Sequence, residues 1–348
     1  MSIQENRDNA FDVFRGLAII AVVAIHAIYY GGSPNSSGFV YYRQFLNFCV
    51  PAFFFVSGYW ASRKQIESLV EYKAFLWRRL SRVLFPYLFW SFVIIGYTIV
   101  KKRHFDGNKT LCLLLTGGAC MGYYFIIAII QLYILTPVLQ YINRKLGVHG
   151  VAIILLLNLA CLLALYLSRL FNIIHHLPAA MFFYSWIIYY EFGLFAGEHE
   201  MAVPTRKTRL FRPFVLYALL VSLLISMMET TSILSKFENP YFAAFPTTYS
   251  ALLYSICVII GFIFYREYFE RFPRLFCKIG RYSFGIYLIH IFILSGIVWT
   301  LNSLGLLCSF QPLRQLVLVL ATLLVSFVLI ALARKVLPVL IYDRIMGF

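Results

Sequence analysis

AFDVFRGLAIIAVVAIHAIYY, from Ala10 to Tyr30, decides the fold. Between Arg15 and His26 this stretch holds only Gly, Leu, Ala, Ile and Val. Wound as a helix with a rise of about 1.5 Å per residue, it is about 31 Å long, the thickness of a bilayer's hydrocarbon core. A helix satisfies its own backbone hydrogen bonds, which lipid cannot do for it. Asp8 and Asp12 sit at its start and no small-residue cleavage site follows, so the stretch reads as a retained span instead of a secretory signal.

The rest of the chain repeats the pattern. Of 348 residues, 61% are hydrophobic and only 13% charged, and the mean hydropathy is +0.80. That balance excludes an ordinary soluble domain. The apolar runs are too long and too continuous for the strands of a membrane barrel. The expected fold is all-α, a polytopic integral membrane protein of about ten helices around a central polar cavity, forming one domain over residues 1–348. The spans are expected at Ala10–Tyr30, Phe45–Ala61, Leu84–Val100, Gly122–Tyr141 and Gly150–Ser168, then at Met181–Gly197, Pro213–Met228, Tyr249–Tyr265, Tyr282–Leu304 and Arg314–Val336. No internal repeat or low-complexity tract interrupts them.

A net charge of +16 raises the question of nucleic acid. The basic residues, however, cluster at the ends of hydrophobic runs, which is the pattern of membrane topology. With the N-terminus inside, Arg63, Lys64, Lys73, Arg78, Arg79, Arg82, Arg144, Lys145 and the run from Arg266 to Arg281 fall on the cytoplasmic side, and so does the C-terminus. One loop disagrees: Lys101, Lys102, Arg103 and Lys109 fall outside. A short interfacial helix is expected there around Leu111–Leu115, a run too short to span. The seven cysteines have no CxxC spacing. Cys49, Cys161 and Cys257 lie in apolar runs and read as small hydrophobes, while Cys112 and Cys120 are close enough in sequence to pair.

Arg15 and His26 are eleven residues apart. That spacing separates them by about 16 Å along a helix and returns nearly to the same face. Ionisable groups within a span are costly, so they are expected to face a polar interior. Taken alone, the pair also reads as a snorkelling arginine and an interfacial histidine.

Four further segments change the weighting. The Arg-x10-His spacing resembles the hallmark of the acyltransferase-3 family. VPAFFFVSGYW (Val50–Trp60) is similar to that family's FFxxSGF/Y pattern. WRRLSRVLFPYLFW (Trp77–Trp90) resembles its RxxR segment and Pro-Tyr span start. GYYFIIAIIQLYILTP (Gly122–Pro137) is similar to its WFLxxLxxxYxxxP stretch, with Tyr124 where Trp is common. GRYSFGIYLIH (Gly280–His290) resembles its late Gly-x-x-Ser-x-x-x-Tyr-Leu-x-His segment.

The resemblance implies a polytopic O-acyltransferase of the bacterial plasma membrane. Its donor would be acetyl-CoA or another acyl-CoA such as succinyl-CoA, used as a substrate, with no permanently bound cofactor. The acceptor would be a hydroxyl of a cell-envelope glycan or its lipid-linked precursor. The resemblance makes His26 the catalytic base, Arg15 its essential motif partner, and Arg79 and Arg82, with Arg78 beside them, the coenzyme A phosphate site. The chemistry agrees, because an acceptor hydroxyl attacks a thioester well only as a base removes its proton, and histidine titrates in the useful range. The same arginines also read as positive-inside anchors.

His290, with Tyr287 beside it, reads as a hydrogen-bonded pocket residue or as interhelical packing. Glu191 is an intramembrane acid that could pair with an arginine or hydrogen-bond substrate. Ser57 and Gly58 read as a close helix approach, without a base to make Ser57 a nucleophile. His175 and His176 point apart on a helix and lack a third ligand, so no metal site is expected. Tyr29, Tyr30, Tyr41, Tyr42 and Trp60 read as interfacial aromatics.

Partners are therefore membrane lipid, acyl-CoA and a carbohydrate or lipid-linked acceptor, with no nucleic acid. The chain shows no fused esterase-like domain of the kind some relatives carry, so either it acts alone or a separate envelope enzyme completes the transfer. The competing reading is a transporter or exporter of a polysaccharide precursor or small polar solute through the same basic, His-lined path. Replacing Arg79 and Arg82 together by Lys keeps every positive charge. It is expected to leave topology intact and to raise the donor KM if the forked guanidinium contacts matter. An unchanged KM would reduce both residues to anchors.

Overall fold

The structure is a computed structural model that describes residues 8–31, 37–170, 179–201, 209–237, 243 and 245–348. His175 and His176 lie outside the described residues. All regular structure among these is helical. The helices are α1 (Asn9–Tyr30), α2 (Ser37–Leu46), α3 (Cys49–Ala61), α4 (Leu69–Lys102), α5 (Gly107–Thr116), α6 (Tyr124–Leu146) and α7 (Val148–Leu170). They continue with α8 (Ile187–Glu198), α9 (Arg212–Phe237), α10 (Tyr249–Phe269), α11 (Arg274–Arg281), α12 (Ser283–Ser303) and α13 (Gln311–Val336).

Among the described residues, nine segments are long and apolar enough to cross a bilayer, α2 and α3 counting together as Gly38–Ala61. The expected span Met181–Gly197 is not one of them. Its first part forms two 3-10 turns, Ala179–Met181 and Phe183–Ser185, and only the 12 residues of α8 are α-helical. Twelve residues rise about 18 Å, short of a hydrocarbon core. Such a helix survives at membrane depth because protein surrounds it. Of its residues, Ile188, Tyr189, Tyr190, Glu191, Gly193, Leu194, Ala196 and Gly197 are buried.

α4 begins fifteen residues earlier than Leu84, the expected start of that span. Lys73, Arg78, Arg79 and Arg82 lower the hydropathy of its first turns without breaking the helix. Ser68 starts it with a capping box, its hydroxyl accepting from the Glu71 N–H at 3.2 Å and the Glu71 carboxylate accepting from the Ser68 N–H at 3.2 Å. The loop expected to hold an interfacial helix contains α5, whose N-cap Asp106 accepts from the Lys109 N–H at 3.0 Å. Leu111 and Leu115 on it are exposed. All seven cysteines are free, Cys112 and Cys120 included.

α1 is the most enclosed of the spans, 72% of its apolar window being buried inside the protein. Aromatic stacking fixes it against its neighbours: Phe11 lies 4.3 Å from the ring of Tyr59 on α3, and Phe14 lies 4.2 Å from Phe262 on α10. α12 runs parallel to α1, since Asp12 meets Arg281 just before α12 and His26 meets His290 farther along it. α13 returns antiparallel, its Arg314 donating to the Gly31 carbonyl at 2.8 Å.

The tightest seam joins α3 to α8. Lipid gives helices no hydrophobic reason to associate, so close backbone approach and dispersion must hold them. Here Gly58 lies against the Tyr190 carbonyl and Gly193 against the Phe55 carbonyl, and a Cβ on either would collide with backbone. Gly193→Ala is therefore expected to separate the helices at a cost of about 1–3 kcal/mol. Thermal unfolding of the purified variant in detergent would show a lowered midpoint, whereas Gly261→Ala, at a position with open space, would leave it unchanged.

Candidate active site

Both ends of α1 meet the segment formed by α11 and α12, through Asp12 near its start and His26 near its end. At the first end of α1, Asp8 caps the helix, accepting from the Ala10 N–H at 3.1 Å, and pairs with Arg266 of α10. Asp12, only 1% exposed, accepts from Arg281 Nε at 3.1 Å and pairs with Arg15. Two guanidinium groups thus share one buried carboxylate, which compensates its loss of water. The Gly280 backbone fits against the Asp12 carbonyl, where a Cβ would clash. The Arg15 side chain keeps 27% of its surface exposed, so it is neither sealed in the core nor free of it.

At the other end of α1, the His26 ring lies 5.1 Å from the His290 ring, with the two planes inclined at 54°. His290 Nδ1 sits 2.7 Å from the Tyr287 carbonyl and 3.2 Å from the Ile286 carbonyl. These acceptors assign the hydrogen of a neutral ring to Nδ1 and leave Nε2 with its lone pair. His290 Nε2 and His26 Nδ1 are both buried, and neither has a hydrogen-bond partner among the described residues. A buried polar atom without a partner is rare enough to require an explanation, and a substrate or water held between the rings would supply one.

The loop before α6 covers this pair. Gly122 takes a φ of 100°, and its Cα faces His26 so that a built Cβ would lie 3.6 Å from Nε2. Tyr287 donates its hydroxyl to the Gly122 carbonyl, and Tyr123 donates to the Leu288 carbonyl at 2.6 Å. Those two bonds pin the loop to α12 beside His290. Tyr287 therefore serves the site through its hydroxyl as well as through the carbonyl that orients His290.

Arg43, on α2, is a residue that sequence reasoning missed. Its guanidinium stacks 4.9 Å from the centre of the Tyr29 ring, bonds the Tyr29 hydroxyl, and lies within electrostatic reach of His26, Cys49 and Tyr124. The signal was present: FVYYRQFLNF places one cation in an aromatic stretch far from the basic clusters. Asp12 and Arg281 were likewise treated only as flanking charges.

The other expected site residues divide. Arg79 turns into the bundle, donating to the Trp60 carbonyl at 2.6 Å and lying 5.8 Å from the Phe75 and Tyr133 rings. Arg78 and Arg82 are exposed. One arginine is thus engaged inside the bundle while its two neighbours remain open to solvent. Glu191 is fully buried on α8, in the company of Asn143 and Glu198, and it is not gathered with the two histidines. Among the described residues there is no group of three His, Cys, Asp or Glu side chains placed to hold a metal.

Comparison with known proteins places the chain in a family. A family model described as an acyltransferase domain, that of the acyltransferase-3 family, matches residues 8–331. The nodulation protein NolL of Sinorhizobium fredii (strain NBRC 101917 / NGR234) is 28% identical over 141 residues, which cover 40% of this chain. The match spans only 38% of the length of that relative. No solved structure matches the chain. The model match runs from the Asp8 cap through α1, both histidines and most of α13, and the chain belongs to the acyltransferase-3 family of membrane acyltransferases.

Proposed function

We propose that this protein transfers an acyl group, acetyl by preference, from acyl-CoA to a hydroxyl of a cell-envelope glycan or its lipid-linked precursor. In this reading it lies in a bacterial plasma membrane with both termini in the cytoplasm, the 3-10 turns and α8 making the tenth passage beside the nine long spans. Acyl-CoA approaches at the cytoplasmic side, where Arg78 and Arg82 meet its phosphates and Arg79 guides the chain inward. Arg15 adds positive charge beside that path while Asp12 fixes its position. The observation that carries the proposal is the His26–His290 pair, two imidazoles 5.1 Å apart with unsatisfied nitrogens beneath the Gly122 loop.

His26 acts as the general base. It takes the acceptor proton as the hydroxyl oxygen attacks the thioester carbonyl, and the tetrahedral adduct collapses with departure of the coenzyme A thiolate. The proton held on His26 then passes to that thiolate, so the cycle neither consumes nor releases a net proton. His290 orients the acceptor through its Nε2 lone pair, and Tyr287 holds His290 in the required tautomer. Arg43 is the nearby cation suited to the negative charge that develops on the carbonyl oxygen, a contribution worth a factor of about 10²–10³ in kcat at comparable sites.

Purified protein in liposomes, given labelled acetyl-CoA and a glycan acceptor, tests the proposal. His26→Ala is expected to abolish label transfer, and Arg43→Gln to lower kcat by about 10²-fold with little change in the donor KM. Solute flux without label transfer would favour the transporter reading. Full transfer by the His26 variant would remove the catalytic one.

A further inference from the structure

We propose that Trp60 and Arg63, at the C-terminal end of α3, form the seat of the adenine base of the donor nucleotide. The inference rests on the reading of acyl-CoA as donor and adds a subsite to it, since the arginines assigned so far meet only phosphates. Trp60 is the last residue but one of α3 and is partly exposed, and Arg63 follows the helix and is exposed. The Arg63 guanidinium lies 5.6 Å from the centre of the Trp60 ring and 5.3 Å from that of Tyr59, and it donates to the Tyr59 hydroxyl at 3.1 Å. The Tyr59 and Trp60 rings stand at 88° to each other, so the arginine is held in the corner that they make.

Neighbouring helices fix the position of this corner. The Phe11 ring of α1 meets the Trp60 ring edge to face at 5.6 Å and stacks on Tyr59 at 4.3 Å. Arg266 of α10 lies 5.9 Å from the centre of the Phe11 ring. Arg15 stands four residues beyond Phe11, on the same face of α1. On α4, Arg79 donates to the Trp60 carbonyl at 2.6 Å, which brings Arg82, three residues on, to the same part of the molecule. Cations from α1, α4, α10 and the end of α3 thus surround a group of aromatic rings, of which that of Trp60 is only partly covered.

Such a place recognises a ligand that is aromatic at one end and anionic beside it. An indole and a guanidinium both stack on a nucleobase, and the adjoining arginines take its phosphates. Topology requires positive charge alone. It gives no reason for one arginine to be lodged between crossed rings, or for another to bond the backbone of the same tryptophan. The indole N–H groups of Trp90 and Trp186 donate to carbonyls at 3.0 and 2.7 Å, whereas among the described residues no hydrogen bond engages that of Trp60. Phe11, at the level of Trp60, is fifteen residues or about 22 Å of helix from His26. The base at Trp60 and the thioester at His26 are then the two ends of one extended donor, with its pantetheine arm between them.

Isothermal titration calorimetry of the purified full chain in detergent, with adenosine 3′,5′-bisphosphate as probe, tests the seat without requiring turnover. Fructose 1,6-bisphosphate carries two phosphates and no base, and is the control. The wild type is expected to bind the nucleotide at least tenfold more tightly than the sugar. Trp60→Leu should weaken nucleotide binding by about tenfold and leave that of the sugar as it was, while Trp60→Phe should recover most of the loss. If Trp60→Leu does not fold, Arg63→Gln, at an exposed position, carries the test and is expected to lower the preference for the nucleotide over the sugar. Equal wild-type affinities for the two probes, or no binding of either, would overturn the proposal, and so would an unchanged preference in the folded variants. Nucleotide binding that depends on Trp60, in a protein that transfers no acyl label in liposomes, would uphold the seat and overturn acyl transfer instead.

Discussion

Asp12 lies between the guanidinium groups of Arg15 and Arg281, and the positions of both histidines depend on that arrangement. A carboxylate 1% exposed within a membrane bundle requires compensation, and here it comes from two cations on different elements. Arg15 belongs to the same helix as the acid, so it cannot join two parts of the fold. Arg281 can, because it ends α11 and stands two residues before α12. Its bond locks the start of α12 to the start of α1, and the parallel course of the two helices does the rest. Fourteen residues on from Asp12, and nine on from Arg281, the two imidazoles arrive side by side.

This gives Arg15 a meaning that its spacing from His26 does not. Read as a pair, the two residues suggest groups acting together, yet about 16 Å of helix separates them. The structure assigns them to two centres joined by a rigid rod. One is an ionic clasp that sets the register of α1 against α11 and α12. The other is the imidazole pair positioned by that register. The helix between them keeps clasp and pair a fixed three turns apart, at about 16 Å.

Most of the architecture was legible because hydropathy and length together decide a membrane helix. The expected Ala10–Tyr30 and Tyr282–Leu304 spans fall within a residue of α1 and α12. The failures share a cause. A hydropathy window averages composition and is blind to backbone direction, so from Met181 onward it joined two 3-10 turns to α8 and made one span of three elements. The same averaging cut α4 short where basic side chains occupy a sound helix. At the site, the Arg-x10-His spacing could mark His26 because both residues lie on one helix. It could not show that His26 meets His290, a contact across 264 positions of sequence, or that Arg43 of α2 folds back toward the same place.

The two groups of unsatisfied polar atoms differ in kind, and the difference bears on function. Around His26 the unbonded atoms are neutral nitrogens next to a loop held by two tyrosine hydroxyls, so they can wait for a ligand at modest cost. Around Glu191 they are carboxyl oxygens in the enclosed interior beside α8, where an unpartnered charge is far more expensive. The first arrangement suits a site that fills and empties with every turnover. The second belongs beside the α3–α8 seam, where Gly58 and Gly193 let the backbones touch. An acyltransferase that must admit its substrates needs both conditions. One side of its bundle must yield to substrates, and the other must hold the helices that do not move.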